Sequence, residues 1–141
     1  KGTIHIKSDN PEEYPSIKYN FLSSQLDRDT LVAGVKLIRK LMQSEAMKEF
    51  CDTEIQPGYD FSSDEDIMQF IRNKAETLYH PSGTCKMGFD QESVVDKNLK
   101  VHGIKGLRIA DASIMPTLVS GNTNAVCMMI GERCADFILN N

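Results

Sequence analysis

The chain has 141 residues, 40% of them apolar, and a formal net charge of -4 with acids and bases interspersed. That is enough for one sizeable core, in a single domain or a piece of one. The charge balance argues against a nucleic-acid partner, and no apolar run is long enough to span a bilayer.

Ile4 and Ile6 alternate with Thr3, His5 and Lys7, which predicts a first strand with no signal-peptide core. Asp9-Asn10-Pro11 reads as a turn, and Pro15 to Tyr19 as a second extended segment. Asp27 or Asp29 is expected to cap a helix whose Leu31, Val35, Ile38 and Met42 share a face. A short helix restarts at Ser44-Glu45 and runs to about Phe50, and Gln56-Pro57-Gly58 breaks the chain. Ser62 with Glu65 reads as a capping box, opening an amphipathic helix through Ile67, Phe70, Ile71 and Ala75 toward Leu78. Turns are expected at Lys97-Asn98 and His102-Gly103, and a buried strand over Leu107 to Ala110. The last helix, Asn124 to Leu139, is apolar around much of its circumference and calls for neighbours on several sides.

Cys51, Cys85, Cys127 and Cys134 form no Cys-x-x-Cys pair, and His5, His80 and His102 are scattered. No metal site is expected. Reduced structural thiols favour an intracellular, cytoplasmic protein, with peripheral membrane attachment the other option.

Two stretches carry chemistry. Tyr79-His80-Pro81-Ser82-Gly83-Thr84-Cys85-Lys86-Met87-Gly88 sets one histidine in a segment whose proline and glycines shape the backbone. Asp111-Ala112-Ser113-Ile114-Met115-Pro116, running on to Gly121-Asn122-Thr123-Asn124-Ala125, places two amides where a loop becomes the last helix. An ordinary imidazole, with a pKa of about 6.5, is mostly neutral at pH 7 and can accept a proton. An amide at a helix start can hold a polar ligand. Each residue also has a structural reading: His80 as a hydrogen-bonded loop residue, Asn122 or Asn124 as a plain N-cap, and Asp111 bonding its own backbone in a turn. From residues alone the structural readings are the commoner ones.

In this order, the two motifs closely resemble the C-terminal region of the glucose–methanol–choline family of FAD-dependent oxidoreductases. His80 through Gly88 looks like that family's catalytic-histidine segment, and Asp111 through Ala125 like its C-terminal signature. Gly2 through Lys7 resembles the opening strand of its substrate domain, so the likeness covers nearly the whole chain. Asn122, where other branches carry a second histidine, points to the choline and alcohol dehydrogenase branch. The family's Gly-x-Gly-x-x-Gly turn, which binds the adenosine half of FAD, is missing from this sequence, and the chain starts without Met. The expectation is a C-terminal substrate-binding piece that alone neither holds FAD nor turns over.

The resemblance implies an α+β fold. Residues 1–95 would form a substrate domain, an antiparallel sheet backed by helices. Residues 96–141 would return to the N-terminal FAD-binding domain of the same parent, adding a strand and the last helix. Without those partners, exposed apolar surface and self-association are expected. The implied reaction oxidises a small alcohol: hydride passes to flavin N5 while His80 takes the hydroxyl proton. Asn122 would bond the substrate oxygen, and Asp111, Ala112, Asn122, Thr123 and Asn124 would face FAD. The helix start would favour the electron-rich edge of the reduced flavin. Oxygen or a quinone-like carrier would take the electrons. A lyase on the same scaffold, of the hydroxynitrile lyase kind, and a non-catalytic binding module are the alternatives.

Overall fold

The computed structural model describes residues 1–140. Packing divides the chain into two compact units, Lys1–Glu76 and Thr77–Asn141. The architecture is α+β, with one two-stranded antiparallel sheet and four α-helices among the described residues.

In the first unit, β1 (Thr3–His5) pairs with β2 (Ser16–Lys18), placing Thr3 opposite Lys18, Ile4 opposite Ile17 and His5 opposite Ser16. The chain entering β1 runs so close to its partner that a Cβ on Gly2 would lie 2.3 Å from the Lys18 carbonyl oxygen. Glycine is therefore required there. Helix α1 (Gln25–Met42) follows, then α2 (Glu45–Lys48) and α3 (Asp64–Lys74).

Neither expected aspartate caps α1. Ser24 holds the N-cap position and Asp27 lies in the first turn, where a carboxylate meets the positive end of the helix. The expected apolar face is also one residue out of register. Val32 is buried and Val35 half-buried, in line with Arg28 and Arg39, whereas Leu31, Ile38 and Met42 are exposed. The reason is the partner: Ile67 and Ile71, one turn apart on α3, seat against Val32, with Leu22, Val35, Met68 and Phe70 around them. The capping box on α3 is real but shifted. Ser63 accepts from the Asp66 backbone N–H while the Asp66 carboxylate accepts from that of Ser63. Ser62 and Glu65 have the same spacing, so sequence did not distinguish the two pairs.

Arg39 anchors the irregular segment after α2. Its guanidinium donates to both oxygens of Glu54 (2.8–3.0 Å), to the Gly58 carbonyl (2.9 Å) and to the Phe61 carbonyl (2.8 Å). The hydrogen bonds from Arg39 hold the Glu54 carboxyl below its ordinary range, against the opposing effect of burial.

In the second unit, α4 (Asn124–Leu139) has the bounds expected from sequence. Its Ile130 and Cys134 pack with Val95, Leu99, Ile114 and Met115. The turns at Asp96–Leu99 and Val101–Ile104 form as expected. Leu107 to Ala110 makes no regular strand. It is joined by one antiparallel bridge, Lys100 to Arg108, with Val101 N–H donating to the Leu107 carbonyl and Ile109 N–H to that of Leu99. The pairing stops because the turns on either side leave no further residues in register.

No helix among the described residues is long and apolar enough to cross a membrane. Exposed apolar side chains are numerous, including Leu37, Ile38 and Leu41 on α1 and Met128, Met129 and Ile138 on α4.

Candidate active site

His80 sits in a loop whose course is set by main-chain bonds. Tyr79 before it has a positive φ of 60°, and Gly83 after it one of 85°, the left-handed region that glycine tolerates best. From Gly83 onward, alternate N–H groups donate to three successive carbonyls of the turn that follows Asp111. Gly83 bonds Ala112 (3.3 Å), Cys85 bonds Ser113 (2.9 Å) and Met87 bonds Ile114 (2.7 Å). That turn is a single 3₁₀ unit, Ala112–Ile114, opened by the Asp111 carboxylate accepting from the Ser113 N–H at 2.7 Å. Downstream, Lys86 bonds Asp90 and Glu92, and its ammonium holds the Asp90 carboxyl below the usual range.

The half-buried imidazole of His80 is bonded on both nitrogens. Asn122 Nδ2 lies 2.9 Å from Nε2, and Thr123 Oγ1 lies 2.9 Å from Nδ1. Both partners stand at the start of α4, more than forty positions along the chain. Thr123 is the N-cap residue and is buried, while Asn122 is exposed. The cap expected of Asn124 is absent: it is the first helical residue, and no side chain caps α4. The first N–H groups of a sixteen-residue helix are left without intrahelical partners, a local concentration of positive dipole.

Three of the expected site residues, His80, Asn122 and Thr123, are thus brought together, with Asn124 adjoining. Asp111 and Ala112 reach the same loop only through the turn that binds Gly83. Sequence reasoning missed the Thr123–His80 bond. Its signal was a hydroxyl set between two amides at a helix start, a pattern that says nothing of which distant side chain it meets.

This arrangement can accept a proton at an imidazole and hold an oxygen with an amide. A family model described as GMC oxidoreductase matches residues 1–131. The oxygen-dependent choline dehydrogenase of Escherichia coli K12 is 44% identical over 138 residues, 98% of this chain and 25% of the relative. That of Pseudomonas syringae pv. tomato is 48% identical over the same length, 98% of this chain and 24% of the relative. Among solved structures, pyridoxine 4-oxidase from Mesorbium loti superposes with a TM-score of 0.92 at 28% identity, covering 99% of this chain and 27% of that one. A fungal aryl-alcohol oxidase gives 0.84 at 29%, covering 99% and 23%. The chain spans about a quarter of the length of these relatives. A match over 131 of its residues, with relatives at 44–48% identity, means that the chain belongs to the GMC oxidoreductase family.

Proposed function

We propose that this chain is the C-terminal, substrate-binding part of an FAD-dependent oxidoreductase acting on CH–OH donors, with His80 as its base. The observation that carries this reading is the imidazole held on both nitrogens by the residues that open α4. The relatives named for choline dehydrogenase make choline the first donor to try, and the pyridoxine and aryl-alcohol oxidases make other primary alcohols the next.

The residues fit a flavin's electron-rich edge: an uncapped helix start and an amide donor lie beside the base. Asn122, Thr123 and Asn124 would hold FAD on that side, with main-chain groups near Asp111 and Ala112 contributing. FAD, when bound, supplies the hydride acceptor. His80 does the rest of the proton chemistry. Its Nε2 accepts the hydroxyl proton as the C–H bond breaks, so alkoxide character never has to develop unassisted in an apolar site. Asn122 is uncharged and cannot be a base; being exposed, it can turn its amide from Nε2 to the substrate oxygen and hold that oxygen against the imidazole. The exposed apolar faces of α1 and α4 would be covered by the FAD-binding part of the parent, residues 96–141 completing that domain.

Adding choline anaerobically to the full-length, FAD-loaded parent tests this. Loss of the oxidised flavin absorbance supports the dehydrogenase, at a rate that rises with pH through one ionisation. Substrate cleavage without bleaching would identify a lyase, and no reaction with any primary alcohol a binding module.

A further inference from the structure

We infer that Thr123 is a positioning residue that anchors the His80 ring through Nδ1, in the tautomer that leaves the Nε2 lone pair for substrate. The inference rests on the reading of His80 as the base and adds the group that keeps it ready. Asn122 Nδ2 carries two hydrogens and no lone pair, so at 2.9 Å it donates and Nε2 must accept. A neutral imidazole has one proton, which then resides on Nδ1 and donates to Thr123 Oγ1 at 2.9 Å. The two contacts agree on one tautomer; the other would set two N–H donors against each other at Nε2.

Burial makes the threonine the stronger of the two restraints. Thr123 is 8% exposed, and the main chain at that residue is tied into α4 through Cys127 N–H donating to the Thr123 carbonyl at 2.9 Å. Its hydroxyl oxygen therefore sits at a fixed point beside Nδ1; a hydroxyl can donate as well as accept, so the Asn122 amide selects the tautomer and Thr123 holds the ring in place. Asn122, by contrast, is exposed and can release Nε2 when a substrate hydroxyl arrives. Once Nε2 takes the substrate proton, both ring nitrogens carry one. The Nδ1–H bond to Thr123 is kept through the step, so the imidazolium keeps its partner and the ring its orientation.

The test uses the full-length, FAD-loaded protein labelled with ¹⁵N-histidine, at a pH where the ring is neutral, with the His80 signals assigned by their loss in His80→Ala. The wild type should show a protonated Nδ1 and an accepting Nε2. Thr123→Val, which removes the hydroxyl at nearly constant shape, should leave Nδ1–H without its acceptor and shift the Nδ1 signal from its hydrogen-bonded, wild-type position. It should also lower kcat by roughly two- to tenfold, the worth of one hydrogen bond, with a smaller effect on KM. Thr123→Ser should restore the wild-type Nδ1 signal. A wild-type ring protonated on Nε2, a Thr123→Val Nδ1 signal like that of the wild type, a serine variant that behaves like valine, or a shifted Nδ1 signal with unchanged kcat would each overturn the inference. Should Thr123→Val fail to fold, the wild-type and serine spectra still decide. Failure of the base reading looks different: His80→Ala would then turn over at the parental rate whatever the tautomer.

Discussion

In Lys1–Glu76 the organising contacts are made by side chains; around His80, in Thr77–Asn141, they are made by the main chain. The first unit joins two helices through Val32, Ile67 and Ile71, and ties down the segment after α2 with the single guanidinium of Arg39. The second also has an apolar core, yet its histidine segment has no regular secondary structure and takes its register from carbonyls of the Ala112–Ile114 turn. A side chain on such a loop is placed by backbone geometry and then oriented by the bonds it makes, here to Asn122 and Thr123.

The strongest way to probe the contrast is at its functional end. In the full-length parent, His80→Ala should lower the reductive rate by ~10²–10⁴-fold, the usual worth of general-base catalysis. Far-UV circular dichroism should stay as it was. A near-parental rate with the same pH profile would make His80 a structural residue of a shaped loop.

At the packing end, Ile67→Ala should cost about 2–5 kcal/mol, read from urea denaturation, because Ile67 is fully buried and neighbouring helices can only partly close on the space. A cost under about 1 kcal/mol would mean that the pair α1–α3 is not held by this seam.

Gly83→Ala asks whether the main chain is what places His80. The substitution forces a side chain into a left-handed conformation at about 1–2 kcal/mol, and the new Cβ would lie 3.2 Å from the Met115 carbonyl oxygen. The expected result is a lower melting temperature and a lower kcat together. If both are unchanged, the loop is not registered through Gly83.

The smallest effect concerns acid. Because Arg39 lowers the folded-state pKa of Glu54, this pair stabilises the protein above the ordinary carboxylate value of about 4.3. That contribution is lost as pH falls from there through the depressed value. Glu54→Gln should flatten this part of the stability–pH curve, and an unaltered curve would show that Glu54 does not set it.

The same contrast explains what was legible beforehand. Periodicity located α3 and gave the bounds of α4, because Ile67 and Ile71, and Ile130 and Cys134, repeat at helical spacing. It misjudged the face of α1 on either side of Val35, where Leu31 stands at helical spacing just as Val32 does and only the partner helix decides between them. It also expected a strand at Leu107 to Ala110, whose apolar content is right but whose flanking turns limit pairing to one bridge. For the site, His80 and Asn122 stood out by motif. The hydrogen bond between His80 and Thr123 did not, since it joins positions 43 residues apart and no local pattern encodes it.

The clasp between the histidine segment and the Ala112–Ile114 turn also bears on how this loop can change over generations. Gly83, Cys85 and Met87 engage it through amide hydrogens that nearly every amino acid possesses, so the bonds themselves ask little of side-chain identity. Exposed Thr84, between two of those donors, can be exchanged without touching the register. Proline at 85 or 87 would delete one strand of the clasp outright. Such a loop can drift in the side chains it presents while His80 stays where it is, so its outer face can vary without rebuilding the contacts that hold the histidine.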